Sequence, residues 1–194
     1  MLLDFKEKTL ILASASPRRL AFFKDMGLPF ESRLRPIDEV FPRHLKGKRI
    51  TNYLAKRKAA AFDNELKDNE ILVTSDTIVW FKNQALNKPT NEEDAIKMLQ
   101  RLSGKKHEVI TSVCIKTKPN ELVFNDKTIV YFEKLSDAEI NFYVNNFKPL
   151  DKAGSYGIQD WIGLIGIRKI KGSYCNVVGL PTNLLYKKLK DILC

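Results

Sequence analysis

The sequence predicts an α/β fold in one domain, with room for two lobes around a cleft. Three observations carry that expectation. Short apolar runs of strand character alternate with segments of helical periodicity over the first two-thirds of the chain. No repeat, low-complexity tract or linker divides the 194 residues, so the expected domain covers 1–194. A hydrophobic fraction of 44% beside 29% charged residues is that of an ordinary globular chain, long enough to build a sizeable core.

The elements follow in order. TLILAS (9–14) is a short apolar strand, and PRRLAFFKDMGL (17–28) a helix with Pro17 in its first turn and Gly27 near its end. ITNYLAKRKAAAF (50–62) repeats an apolar face at helical spacing, and ILVTSDTIVWF (71–81) is a long β-prone run. NEEDAIKMLQRLSG (91–104) has acidic residues in its first turn and a glycine at its end, as helices do. HEVITSVCIKT (107–117) and TIVYFEKL (128–135) read as strands, and SDAEINFYVNNF (136–147) as a helix opened by Ser136. From Lys148 the texture changes: KPLDKAGSYGIQD is loop-like, IGLIGIRKIKGSY (162–174) reads as a strand, and PTNLLYKKLKDIL (181–193) as a closing helix.

Composition removes several function classes. No run approaches the roughly 18 apolar residues that span a bilayer. Asp4, Lys6, Glu7 and Lys8 stand where a signal peptide would be apolar, so the expected location is the cytoplasm. Cys114, Cys175 and Cys194 are far apart and lack metal-ligand spacing, which suits incidental thiols in a reducing compartment. Two histidines, His44 and His107, leave little for a histidine-based metal site or triad. A net charge of +10 favours anionic partners without choosing among them, and clusters such as Lys46, Lys48, Arg49 and Lys187, Lys188, Lys190 suit a solvated surface. The basic residues are not interleaved with aromatics and no nucleic-acid motif is present, which makes nucleic acid an unlikely partner.

Three places point to chemistry. In SASPRR (14–19) a strand enters a helix through small residues, where backbone N–H groups and the hydroxyls of Ser14 and Ser16 make an anion site. Arg18 and Arg19 oppose the helix dipole there unless an anion lies between them, and a guanidinium fork suits phosphate. Two solvent-facing arginines are the competing reading. Asp76 sits in an otherwise buried run, where an unpaired carboxylate is expensive, so it must be paired, ligated to metal or protonated. Lys58 lies on the apolar face of its helix with Leu54 and Phe62, so it either snorkels to the core's edge or reaches a phosphate. Glu39 and Lys88 are weaker candidates that ordinary surface would also explain. Neither a P-loop nor a GxGxxG motif occurs, so any phosphate would be handled by side chains on another scaffold.

These segments resemble the Maf (septum-formation-like) nucleotide pyrophosphatases over nearly the whole chain. LILASASPRRL (10–20), PIDEV (36–40), YLAKRKA (53–59), SDTIV (75–79), LNKPTNEEDAIKMLQRLSGKKHEVIT (86–111), DKAGSYGIQ (151–159) and KGSYCNVVGLP (171–181) carry the resemblance. It implies an inosine-triphosphate-pyrophosphatase-like, Maf-type fold, a mixed sheet with helices and two lobes around a cleft, usually as a homodimer. It also implies hydrolysis of a nucleoside triphosphate to the monophosphate and pyrophosphate with a divalent metal, Mg²⁺ or Mn²⁺. In that resemblance Asp76 is the proton acceptor, and Asp76 and Glu39 are candidate metal ligands. Lys58, Glu39 and Lys88 support the phosphates and metal, while Ser14, Ser16, Arg18 and Arg19 line the phosphate loop.

Arg18, Thr77 and Gln159 match the branch resembling dTTP/UTP pyrophosphatases, including action on modified pyrimidine nucleotides. A glutamine amide offers the donor and acceptor that a uracil or thymine edge requires. Two departures stand out: Asp160 where the family often has glycine, and FKNQALNKP (81–89), where Asn83 replaces a glycine turn. A non-catalytic nucleotide-binding regulator of cell division and a basic nucleic-acid module are the alternative readings.

Overall fold

A computed structural model describes residues 3–193. Its elements, in chain order, are β1 (Thr9–Leu12), α1 (Pro17–Asp25), β2 (Glu31–Ser32), α2 (Lys48–Ala60), β3 (Glu70–Phe81), β4 (Gln84–Leu86), α3 (Glu92–Leu102), β5 (Lys106–Lys116), β6 (Glu121–Phe132), α4 (Asp137–Phe147), α5 (Trp161–Gly166), β7 (Ile167–Lys171), α6 (Tyr174–Val178) and α7 (Thr182–Leu193). The strands form one mixed sheet in the order β2-β1-β3-β5-β6-β7, with β4 paired to β3. β1 runs parallel to both β2 and β3, whereas the β3–β4 and β6–β7 pairs are antiparallel. The expected α/β class holds.

Two compact units divide the chain. The first takes the residues through Asp76, then Thr111–Asp126, then those from Gly179 onward. Its central strands β1, β3 and β5 are buried on both faces, and residue parity assigns each side chain a layer. Leu10, Leu12, Ile71, Val73, Val113 and Ile115 pack with Phe23 of α1 and with Leu185 and Leu189 of α7. The intervening residues Ile11, Leu72 and Cys114 pack with Ala55 and Ala59 of α2 and with Phe62 and Leu66 beyond it. Burial pushes the Cys114 thiol up to about 12, so it stays protonated as a core residue. The thiol expectation at Cys194 lies outside the described residues.

The second unit holds Thr77–Ile110 and Lys127–Val178. Its core joins Val79, Phe81, Leu99, Leu102, Val130, Phe132, Ile140, Tyr143 and Val144, so α3 and α4 share one apolar layer. Both helices carry side-chain caps, at Ser136 as the sequence predicts and at Asn91 as the structure adds. The Asn91 side chain accepts from the Asp94 N–H at 2.8 Å. Ser136 and Glu139 form a capping box. Lys82 and Asn83 both take positive φ (46° and 60°) and turn β3 into β4 without a glycine.

One expectation is corrected here. IGLIGIRKIKGSY is not a single strand: Trp161–Gly166 is helical and only Ile167–Lys171 is extended. Periodicity cannot separate a short buried helix from a strand in such an apolar run. Gly163 decides it, because a Cβ there would lie 1.8 Å from the Ile158 carbonyl oxygen, a close approach only glycine permits. Gly154 is fixed by similar crowding, with φ of +69° and a built Cβ 2.7 Å from Val79 Cγ2.

His107 is buried in the second unit, its Nε2 2.7 Å from the Tyr156 hydroxyl and its ring edge-on to Phe132. Burial pulls the imidazole down to about 3 from an ordinary 6.5. Between those values the unfolded chain binds a proton that the folded chain refuses, so stability falls as the pH falls through that window. Denaturant titrations at pH 7 and pH 5 are expected to differ by about 2 kcal/mol from this group. His107→Gln should flatten that difference.

Candidate active site

The alternation that puts Leu72 against α2 continues along β3. Thr74, two residues on, donates its hydroxyl to the Ala55 carbonyl at 2.7 Å. Asp76, two further, meets Lys58, which lies three residues past Ala55 on the same helix face. Lys58 Nζ donates to Asp76 Oδ1 at 2.7 Å and lies 3.4 Å from the Ser75 carbonyl oxygen. A second carboxylate, Glu39 Oε1, sits 2.7 Å from the same ammonium nitrogen. The side chains of Asp76 and Lys58 are 7% and 16% exposed and that of Glu39 43%, so the pair is buried and the third member reaches it from the surface. Lys58 points inward, as its helical spacing predicts.

Arg57 explains how an exposed loop delivers Glu39. Its Nη1 donates to the carbonyls of Asp38 (3.1 Å) and Val40 (3.0 Å), which bracket Glu39. In the sequence Arg57 reads only as a cation off the apolar face, and no local signal marks its role.

Arg18 and Arg19 divide the work at the start of α1. Arg19 turns inward: its Nε donates to the Gly179 carbonyl at 2.9 Å and its Nη1 to the Ser75 carbonyl at 3.1 Å. It thus ties the backbone beside Asp76 to the turn ahead of α7. Gly179 and Ser75 were not legible as site residues, because each acts through its carbonyl oxygen. The Ser75 hydroxyl is itself buried with no hydrogen-bond partner among the described residues. Arg18 is half-buried, and its charge acts on Arg19. Ser16 occupies the N-cap position in extended conformation without a side-chain capping bond, and Pro17 follows at the first helical position. Ser14 Oγ instead accepts from the Ser16 N–H at 3.2 Å. The N-cap side chain itself therefore does not close the start of the helix.

Electrostatics sharpen the arrangement. Burial pushes the Asp76 carboxyl above the usual carboxylate range, Lys58 and Arg19 pull it back, and Glu39 adds to the rise. Burial lowers Arg19 as well, with Arg18 working in the same direction against the favourable charges of Asp76 and Glu39. A carboxylate so placed is held between cations midway along a strand.

Thr77, Lys88 and Gln159 belong to the second unit. Thr77 continues β3 and is half-buried; Lys88 lies exposed between β4 and α3. Gln159 is exposed between Ile158 and the first turn of α5, and its Nε2 donates to Asp160 Oδ1 at 3.0 Å.

An α/β chain with a buried aspartate–lysine pair midway along a strand, beside paired arginines on a helix N-terminus, belongs to the class of sites built for anionic substrates. Residues 9–192 match the family model described as Maf-like protein, and the chain belongs to that family. A relative from Flavobacterium psychrophilum named dTTP/UTP pyrophosphatase is 60% identical over 182 residues, covering 94% of this chain and 93% of its own. One of the same name from Christiangramia forsetii is 56% identical over 188 residues, covering 97% and 96%. The solved Staphylococcus aureus Ham1 protein is 13% identical, with a TM-score of 0.49 over 93% of this chain and 100% of that one.

Removing the shared cation tests the triad. Lys58→Met leaves Asp76 buried beside a second carboxylate, and is expected to cost about 2 kcal/mol of stability at pH 7. With the ammonium gone, Asp76 rises further above its unfolded value of 3.8 and takes up a proton on mild acidification. The penalty relative to the unaltered protein should therefore shrink toward pH 4.5, read by urea titration at both pH values.

Proposed function

We propose that the protein hydrolyses dTTP and UTP, and modified pyrimidine nucleotides of the same shape, to the monophosphate and pyrophosphate. The observation that carries this reading is Asp76, buried midway along β3 within 2.7 Å of Lys58, in a chain of the Maf family. Relatives at 60% and 56% identity that bear the name dTTP/UTP pyrophosphatase support the substrate class.

In this reading Asp76 accepts the proton of the attacking water at a carboxylate oxygen. Its raised affinity for protons brings it nearer to neutral pH, where a general base is most effective. Lys58 keeps the carboxylate ionised and oriented before attack. Arg18, Ser14, Ser16 and the N–H groups opening α1 bind the phosphates, and Arg19 keeps Ser75 and hence Asp76 in place from behind. On the second unit Gln159 reads the pyrimidine edge, Thr77 flanks Asp76 in the chain, and Lys88 offers a charge to phosphate.

The donor set suits a hard divalent cation, Mg²⁺ or Mn²⁺, because Asp76 and Glu39 already aim carboxylate oxygens at one positive centre. Among the described residues no group of three His, Cys, Asp or Glu side chains could hold a metal alone, which fits an ion shared with substrate phosphates. Asp76 and Glu39 would hold it. When bound, it supplies charge neutralisation at the phosphates and acidifies water. The same family reading favours a homodimer in the cytoplasm, and no described helix is long and apolar enough to cross a membrane.

The test is pyrophosphate release from UTP, dTTP, CTP, GTP and 7-methyl-GTP with Mg²⁺ or Mn²⁺. UTP and dTTP are expected to lead, chelation to stop turnover, and Asp76→Asn to lower kcat about a thousandfold while the protein stays folded. Turnover led by 7-methyl-GTP would overturn the pyrimidine assignment, and full activity of Asp76→Asn its proton-accepting role.

A further inference from the structure

Asp160 stands at the N-cap position of α5, yet its side chain makes no capping bond to that helix. Its two oxygens are used elsewhere. Oδ1 accepts from Gln159 Nε2 at 3.0 Å. Oδ2 accepts from the Tyr143 hydroxyl at 2.7 Å, and Lys152 Nζ lies 3.7 Å from it. The Tyr143 oxygen in turn accepts from the Gly157 N–H at 3.0 Å. Burial and Asp160 together hold the phenol protonated, so it donates to Asp160 and cannot change roles. The donors converge on Asp160: Gly157 gives to Tyr143, and Tyr143 and Gln159 both give to the carboxylate.

Gly157 makes this geometry possible. A Cβ there would lie 2.5 Å from Asp160 Oδ2 and 2.7 Å from Gln159 Nε2, so both side chains fold back over a backbone that has none. The outcome is an exposed glutamine whose amide cannot turn freely. A carboxylate only accepts, so the amide nitrogen must face Asp160, which leaves Oε1 as the end offered outward.

We propose that Asp160 is a positioning residue that fixes the Gln159 amide with its oxygen outward, and thereby makes the base subsite accept uracil and thymine and reject cytosine. The proposal rests on the assignment of Gln159 to the pyrimidine edge. Uracil and thymine carry N3–H, a donor for Oε1. Cytosine carries a bare N3, whose lone pair faces that of Oε1. A glutamine free to rotate would serve either base by turning its amide over.

Asp160→Asn is the decisive variant, being nearly isosteric. Tyr143 still donates to the carbonyl oxygen of residue 160, so the new NH2 group faces Gln159 and the amide must turn its nitrogen outward. The experiment measures, by calorimetry, the affinities of the non-hydrolysable α,β-methylene analogues of UTP and CTP. It uses the unaltered protein, Asp160→Asn and Asp160→Ala, beside pyrophosphate release from UTP and CTP. The uracil-to-cytosine affinity ratio is expected to fall about tenfold in Asp160→Asn, with Asp160→Ala between it and the unaltered protein.

A merely structural loss would weaken both nucleotides alike and leave the ratio in place. A ratio that neither substitution moves overturns the proposal, as does an unaltered protein that binds both analogues equally or neither. If the unaltered protein discriminates between the analogues in an Asp160-dependent way but releases no pyrophosphate, the hydrolase reading fails and this one stands. If it hydrolyses UTP with a preference that the substitutions leave unchanged, the reverse holds.

Discussion

The burial of Asp76 is the constraint on which the first unit's site is built. Taking a carboxylate and an ammonium out of water costs several kcal/mol for each ion, and their mutual attraction roughly offsets this only when the remaining contacts are good. An apolar pair of similar volume at these positions would hold the strand and helix together at least as well. Stability alone therefore does not account for Asp76 and Lys58. What the pair places in the site is a carboxyl group of raised proton affinity, held by a lysine only 16% exposed that a second carboxylate also reaches. The surrounding structure is arranged to hold it: Thr74 ties β3 to α2, Arg19 fixes the Ser75 carbonyl, and Arg57 brackets Glu39.

Much of this was legible in the sequence because the elements obey simple periods. Residues 71–81 read as a buried β-prone run, so an aspartate in it had to be paired, ligated or protonated unless it only capped a turn. Lys58 shares a helical face with Leu54, and that spacing alone turns it inward. The capped helices α3 and α4 carry their own start signals at Asn91 and Ser136. What stayed hidden acts through the backbone or through a single close approach. Arg19 and Arg57 work by donating to carbonyls, a function that no residue type advertises. The helix at Trp161–Gly166 depends on one carbonyl oxygen pressed against Gly163, which an apolar run does not reveal.

The second unit shows the same logic with glycine in place of charge. Gly154, Gly157 and Gly163 each sit where a Cβ would strike a neighbour, at Val79, Asp160 and Ile158 respectively. The segment from Asp151 to Gly166 is thus held by contacts at its glycines as much as by hydrogen bonds, and an exposed side chain at its surface can be rigid. Gln159 is the beneficiary: its neighbours, not its own packing, determine which way its amide points. A carboxylate at Asp160 restricts the Gln159 amide through a 3.0 Å hydrogen bond.

The adjacent arginines at the start of α1 find their explanation in this division of roles. Two guanidinium groups beside a helix N-terminus repel one another and the helix dipole. Asp76 and Glu39 offset that for Arg19, which is tied to two carbonyls. Arg18 acts on Arg19 as a like charge, so bringing both into one corner sets a repulsion against the favourable charges of Asp76 and Glu39. Three cations, Arg18, Arg19 and Lys58, then face two carboxylates, and the helix N-terminus adds further positive potential. That surplus is a cost in the folded chain and an attraction for a polyphosphate, whose negative charges would relieve the repulsion Arg18 creates. Arg19 keeps the strand that carries Asp76 in position through the Ser75 carbonyl, while the charge of Arg18 adds to the positive potential of the helix N-terminus.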